Sequence, residues 1–206
     1  MILDIHTHKP APYPEGIVNL PLNAVSLLAD QSYSCGIHPW DSNQGNSTED
    51  LFALLRERAA DRRVVAIGEC GVDLIKGGPL FQQLNIFRKQ IELSEELCKP
   101  LIIHCVKATD IMLGLKRDIR PQQPWIIHGF RGKPESAKQL TDKGFYLSFG
   151  EKFNAETVAM MPSELLLAET DESILSITEI IGQLSVAANR DVTSDIITNT
   201  ATILQR

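Results

Sequence analysis

Two kinds of side chain in this sequence could share a reaction: its 5 histidines and a small set of acids placed beside them. In Asp4-Ile5-His6-Thr7-His8 the imidazoles stand two residues apart, and an extended segment points alternate side chains to one face, so His6 and His8 project together. Two imidazoles on one face can share a metal ion. His38, His104 and His128 each close an apolar, strand-like run, and Glu69 and Asp171 follow two further runs of the same kind. Imidazole with carboxylate is the ligand set of Zn²⁺, Mn²⁺ or Fe²⁺, whereas a shell of carboxylates and water suits Mg²⁺ or Ca²⁺. Four histidines and two acids can hold two ions if one carboxylate bridges them. Such a pair polarises an ester, generates hydroxide near neutral pH and stabilises a leaving oxygen, which is the logic of many phosphodiesterases.

The elements that must position these groups follow from the alternation of short β-rich runs with longer helical patterns. Residues 2–6, 16–20, 33–38, 64–68, 100–105, 124–128, 145–149 and 165–169 read as strands. Helical spacing predicts helices over 22–30, 47–60, 80–97, 108–118, 134–143, 155–160, 174–188 and 191–204, the second capped by a hydroxyl residue at Ser47 or Thr48. The segment Lys9-Pro10-Ala11-Pro12-Tyr13-Pro14 is too rich in proline to be a helix, so the first crossover helix is missing. Strands separated by helices imply parallel pairing, and eight of them favour a closed TIM-type (β/α)8 barrel of the α/β class, trimmed below the ~250 residues usual for that fold. In such a barrel the active site gathers at the C-terminal ends of the strands, where His6, His38, Glu69, His104, His128 and Asp171 would all lie. An open doubly wound sheet fits less well, because its Gly-rich phosphate loop is absent.

A chain of 206 residues, 43% hydrophobic and 22% charged, reads as one globular domain over 1–206 with a substantial core. No apolar stretch approaches the ~18 residues that a membrane span needs, and no secretory leader is evident, so a cytoplasmic protein with no membrane association is expected. Cys35, Cys70, Cys98 and Cys105 form no C-x-x-C pair and read as free thiols, most of them buried. A net charge of -6 argues against a broad basic surface for nucleic acid. No obligate protein partner is evident.

The motifs Asp4-Ile5-His6-Thr7-His8, Gly36-Ile37-His38-Pro39, Gly68-Glu69-Cys70-Gly71-Val72-Asp73, Ile102-Ile103-His104, His128-Gly129-Phe130 and Glu169-Thr170-Asp171 occur in an order that resembles the TatD family of metal-dependent deoxyribonucleases, within the amidohydrolase-like barrels. Phe87, Gln90, Pro100 and Asn199 match further positions of that family. The resemblance implies two divalent ions, Zn, Mn or Mg. His6, His8 and Asp171 would hold one, His104 and His128 the other, and Glu69 would bridge. It further implies that Asp171 orients or deprotonates the attacking water. His38 would meet a substrate phosphate or donate a proton; a histidine fixing the turn at Pro39 is the plainer alternative. Asp73 and Glu169 read as bracing or structural residues.

Departures from the family pattern lie on the substrate side. Val106-Lys107 stands where relatives commonly carry an arginine, Gly129 stands in place of a cysteine and Arg131 in place of a small residue, and Asp171-Glu172-Ser173 runs almost directly into a helical pattern with no proline or long loop. Lys107 and Arg131 are the basic residues the motifs place near the rim. The expected activity is therefore a metal-dependent phosphodiesterase or deoxyribonuclease taking DNA ends or short oligonucleotides. A hydrolase of a small phosphoester or amide, or a non-catalytic metal-binding barrel, remain the alternatives.

Overall fold

The computed structural model describes residues 1–24, 26–43 and 48–205. Eight strands close into a barrel in sequence order: β1 Asp4–Thr7, β2 Gly16–Asn19, β3 Ser32–Cys35, β4 Val64–Asp73, β5 Leu101–Val106, β6 Trp125–Ile127, β7 Tyr146–Phe149 and β8 Leu166–Ala168. Every adjacent pair is parallel, and β8 returns to β1 through Ala168 and Asp4. Seven α-helices lie among the described residues: α1 Thr48–Ala59, α2 Leu80–Leu97, α3 Thr109–Ile119, α4 Pro134–Thr141, α5 Ala155–Ala159, α6 Ile177–Ala188 and α7 Thr193–Ile203. No helix among those residues is long and apolar enough to cross a membrane.

Strand alternation sorts the core. Ile17, Ala66, Ile102, Ile126 and Leu167, from five strands, form a small apolar cluster together with Ile203 of α7. On β5, β6 and β8 this layer sits two residues before His104, His128 and Glu169, so a strand that buries its apolar residue in the cluster aims the next residue of that face at the C-terminal rim. A larger cluster packs strands against helices, with Phe87 of α2, Trp125 and Phe145 in tilted or edge contacts at 5.8 and 5.7 Å. Trp125, Phe87 and Phe145 are fully buried, each worth roughly 1.5–3 kcal/mol by apolar transfer.

The first crossover contains no helix, as the prolines dictate. Residues 22–30, predicted helical, are not helical either where they are described. An isolated helix of so few residues is unstable, and here side chains from elsewhere take its backbone groups. Tyr33 Oη accepts from Leu28 N at 3.0 Å, and Arg63 donates to the Leu27 carbonyl at 2.9 Å. Leu22, Ala24 and Leu27 still pack on the core. Ser47 lies outside the described residues, and so therefore does the expected cap of α1. Helix α6 starts later than predicted, at a capping box of Ser176 with Glu179.

Two strand boundaries bear on function. β3 ends at Cys35 and not at His38, because both backbone groups of Ile37 bond to one buried side chain: Gln90 of α2 accepts from Ile37 N at 2.8 Å and donates to Ile37 O at 3.0 Å. β4 does not stop at Gly68 but runs on to Asp73, pairing with β5 through Gly71↔His104 and Asp73↔Val106 after an irregularity between Ile67 and Cys70. Gly71, at φ +132°, lies so close to β5 that a Cβ would stand 2.2 Å from the His104 carbonyl oxygen. Only glycine allows this approach.

Candidate metal centre

Seven side chains converge at the rim. Glu69 stands at their middle, placed there because the irregularity in β4 turns it inward. Its Oε2 lies 3.1 Å from His8 Nε2 and 3.5 Å from His6 Nε2, while its Oε1 lies 2.8 Å from His128 Nε2, 3.7 Å from His104 Nδ1 and 3.8 Å from His38 Nε2. Asp171 Oδ1 approaches the first group, 3.7 Å from His6 Nε2 and 3.6 Å from His8 Nε2. The two carboxylate oxygens of Glu69 thus face two separate sets of nitrogens.

Local structure holds each ligand candidate. Asp171 has φ 52° and is bonded to β1 from both sides, its N donating to the His6 carbonyl at 3.0 Å and its own carbonyl accepting from His8 N at 3.0 Å. Thr170 ties the same corner: its hydroxyl donates to Asp4 Oδ2 at 2.6 Å and lies 2.7 Å from Thr7 Oγ1. Burial pushes the Asp4 carboxyl up to about 7, against the hydrogen bonds from Thr170. Asp73 Oδ2 sits 3.2 Å from His104 Nε2, and Glu169 Oε1 3.5 Å from His128 Nδ1, so each imidazole of the second set has a carboxylate behind it. Such partners fix the ring and raise its basicity toward a metal. Asp73 is steadied in turn by Gln83 of α2, which accepts from its N at 2.8 Å and donates to its O at 3.1 Å.

The donor set fits divalent metal. His6 is fully buried, yet neither of its ring nitrogens has a hydrogen-bond partner, an expensive omission unless a cation is to be bound there. Bonds of about 2.0–2.1 Å to a tetrahedral ion place neighbouring ligand atoms about 3.3–3.4 Å apart, and the spacings about Glu69 scatter around that value. Groups capable of holding an ion include His6, His8 and Asp171, and His6, Glu69 and His128; a third is His38, Glu69 and His104.

Charge in the cluster follows from its crowding. Burial opposes ionisation of Glu69, but the imidazoles of His104, His128, His6 and His8 outweigh it and hold its carboxyl far below the usual range. His8 is pushed up by its bond to Glu69. Burial disfavours protonated His128, yet Glu169 and Glu69 overcome this and raise it well above an ordinary histidine. Burial raises Asp171 and lowers His38 to about 4. For Asp73 burial is outweighed by hydrogen bonds from Trp40, the Lys76 and Ile75 amides and His104, which bring it down to about 2.

Of the residues singled out from sequence, His6, His8, His38, Glu69, His104, His128 and Asp171 come together. Arg131 lines a cavity of about 170 Å³ with Lys152 and Asp171 beside them. Lys107 is exposed, and among the described residues it has no hydrogen bond or ion pair to the cluster. The sequence reading passed over Asn19, whose Nδ2 donates to Glu69 Oε2 at 3.4 Å, and Trp40 and Lys76 beside Asp73. A lone polar residue ending the apolar run of β2 was the signal for Asn19. On the far side of His38 and Glu69 opens a cavity of about 470 Å³ walled by Leu20, Leu22, Ile37, Leu51 and Leu54.

Residues 22–184 match the family model described as TatD related DNase. An uncharacterized metal-dependent hydrolase of Bacillus subtilis, YabD, is 38% identical over 145 residues, covering 66% of this chain and 56% of its own length. A 3'-5' ssDNA/RNA exonuclease TatD of Cronobacter sakazakii is 32% identical over 152 residues, 69% of this chain and 57% of its own. The matched part of the chain thus spans little more than half the length of these relatives. Among solved structures, YJJV, a TatD homologue of Escherichia coli K12, superimposes with a TM-score of 0.81 over 100% of this chain and 98% of that one, at 18% identity. A TatD-family hydrolase of Entamoeba histolytica gives 0.74 over 98% and 97%, at 15% identity. At such identities these likenesses show the fold.

Proposed function

The chain belongs to the TatD-related DNase family, and on that premise we propose that it hydrolyses phosphodiesters at nucleic-acid ends or in short oligonucleotides with the help of two divalent ions, Zn²⁺, Mn²⁺ or Mg²⁺. The observation that carries this reading is the division of Glu69, Oε2 toward His6 and His8 and Oε1 toward His128 and His104. His6, His8 and Asp171 would hold one ion and His104 and His128 the other, with Glu69 between them. When bound, such ions polarise the phosphate, lower the pKa of water and stabilise the leaving oxygen.

The chain's own groups supply the rest. Asp171, more exposed than Glu69, is placed to orient an incoming water and take its proton. Asp73 and Glu169 hold the imidazoles of His104 and His128 in register, and Asn19 steadies Glu69. His38 is set apart by its tautomer. Its Nδ1 accepts from Trp40 N at 3.2 Å, so in the neutral ring the proton sits on Nε2, on the side of Glu69, where it serves as a donor to a phosphate or leaving oxygen and not as a ligand. His38→Ala is accordingly expected to keep its full metal content while kcat falls roughly 10- to 100-fold, somewhat less than loss of a full general acid. Elemental analysis beside steady-state kinetics checks this; loss of metal would make His38 a ligand, and normal turnover would leave it a turn-fixing residue.

The overall reading is tested by stripping the protein with chelator, restoring Zn²⁺ or Mn²⁺, and following hydrolysis of a dinucleotide and a long single strand at several salt concentrations. Activity should vanish and return with metal. With 20 basic residues against 26 acidic ones, the salt dependence should be shallow and long strands should gain little over short ones. A steep salt slope implying six or more phosphate contacts would instead require an extended basic groove, and absence of phosphodiester hydrolysis with any of these metals would remove the proposal.

A further inference from the structure

Trp40 stands out among the rim residues because it is fixed but uncovered. It lies in the 3₁₀ turn Pro39–Asn43, directly after His38, and leaves 45% of its surface open. Three contacts hold the indole. Nε1 donates to Asp73 Oδ2 at 2.7 Å, the ring meets His38 edge-on with centroids 4.6 Å apart, and the Lys76 ammonium lies 4.8 Å from the ring centroid. The same Asp73 oxygen is 3.2 Å from His104 Nε2, and the indole and His104 rings are 5.8 Å apart. The aromatic surface is therefore registered against the candidate metal centre to within one side chain, with the Lys76 ammonium over one face of the ring, so a ligand would stack on the opposite face.

A tryptophan needed only to bond Asp73 would gain from burying its ring. One that stays half open, with its orientation locked through the carboxylate that also orients a ligand histidine, is built to receive something flat. Loaded with divalent ions, the adjacent cluster would attract phosphate, and Lys76 adds a point charge on a flexible stem. A group that presents both a planar π-face and a phosphate at this spacing is a nucleotide. We propose that Trp40 is a specificity-determining residue that stacks the nucleobase neighbouring the scissile phosphate, with Lys76 pairing to the next phosphate or its terminal oxygen. This rests on the phosphodiesterase reading given above and narrows its substrate from phosphoesters in general to base-bearing ones. A base can reach the platform from a nucleic-acid end or from a free nucleotide, and both present the same chemistry to it.

The experiment compares metal-loaded wild type, Trp40→Phe and Trp40→Ala on a thymidine dinucleotide and on its two analogues in which one nucleoside or the other is abasic. The ratio of kcat/KM for the full dinucleotide over that for the better-discriminated abasic analogue should fall at least about fivefold in Trp40→Ala, mostly through KM, and be largely restored in Trp40→Phe, as expected for loss and recovery of one base–aromatic stack. An unchanged ratio in Trp40→Ala, whether because both substrates slow together or because neither does, overturns the proposal; the first result would confine Trp40 to steadying Asp73.

Binding is read separately from turnover. Trp40 is exposed whereas Trp125, the only other tryptophan, is fully buried, so a non-hydrolysable phosphonate-linked dinucleotide should quench wild-type tryptophan fluorescence and fail to quench Trp40→Phe. No quenching in the wild type also overturns the stacking site. If quenching occurs in a protein that cleaves no dinucleotide, the hydrolase reading fails and the stacking site stands. Repeating the titration with thymidine monophosphate separates the sources: tighter binding of the dinucleotide supports a strand end as the occupant, and equal binding supports a free nucleotide on the same platform.

Discussion

Glu69→Ala should lose at least ~100-fold in phosphodiester hydrolysis and no longer retain two metal ions per chain. The rate figure is the lower end of what removing a group engaged in the chemistry costs; the stoichiometry follows from geometry. Among the described residues Glu69 is the one carboxylate with an oxygen within 3.5 Å of His6 and the other within 3.7 Å of His104. Its removal leaves His6, His8 and Asp171 on one side, and His104 and His128 on the other, with nothing spanning them. The first set keeps three donors and can still hold an ion weakly, whereas the second keeps two. Elemental analysis after dialysis against Zn²⁺ or Mn²⁺ should therefore approach one ion in place of two. Glu69→Gln sharpens the test, since it keeps the shape and an oxygen donor but not the charge. It should fall between wild type and Glu69→Ala in metal content and close to Glu69→Ala in rate. A stoichiometry of one in the wild type, unchanged in Glu69→Ala, would sink the bridging role.

Much of this centre was legible because strand geometry has a period of two and a barrel collects its strand ends. His104 and His128 each follow an apolar residue two positions earlier that belongs to the inner cluster, and a reader needs only the pattern Ile102-x-His104 or Ile126-x-His128 to place the imidazole over the core. The absent first crossover helix was equally legible, since three prolines between Lys9 and Glu15 forbid it. What escaped the pattern depended on contacts between distant segments. Nothing in residues 22–30 announces that Tyr33 and Arg63 will take their backbone groups. Nothing near His38 says that Gln90, more than fifty positions on, will peel Ile37 away from β3. The apolar run of β4 stops at Gly68, yet in the barrel Gly68 and Gly71 permit close contact with β5 and the strand continues to Asp73. Glu169 shows a different limit. Sequence places it as a bracing residue, but only the fold reveals that it braces His128, and that its Oε1 also accepts from Gly129 N at 2.6 Å, linking the ends of β6 and β8.

Asp171→Asn is expected to keep its metal and lose roughly 10²- to 10⁴-fold in kcat, the range for removing a general base. The substitution is unusually clean here. Asp171 has φ 52°, a left-handed conformation that asparagine tolerates as well as any residue with a side chain, so the backbone bonds to His6 and His8 need not change. The amide retains one oxygen of the same size where Oδ1 stands near His6 and His8. What it lacks is negative charge and the ability to accept a proton. A drop in rate at constant metal content therefore isolates proton transfer and charge from ligation, a separation that Asp171→Ala would blur by opening the site. Metal content, kcat and kcat/KM measured together over roughly pH 6 to 9 decide it. A base acts when ionised, so in the wild type the rate should rise with pH through the controlling ionisation, and the variant should lose that dependence along with most of its activity. Wild-type turnover across the whole range with both ions in place would show that the proton leaves by another route.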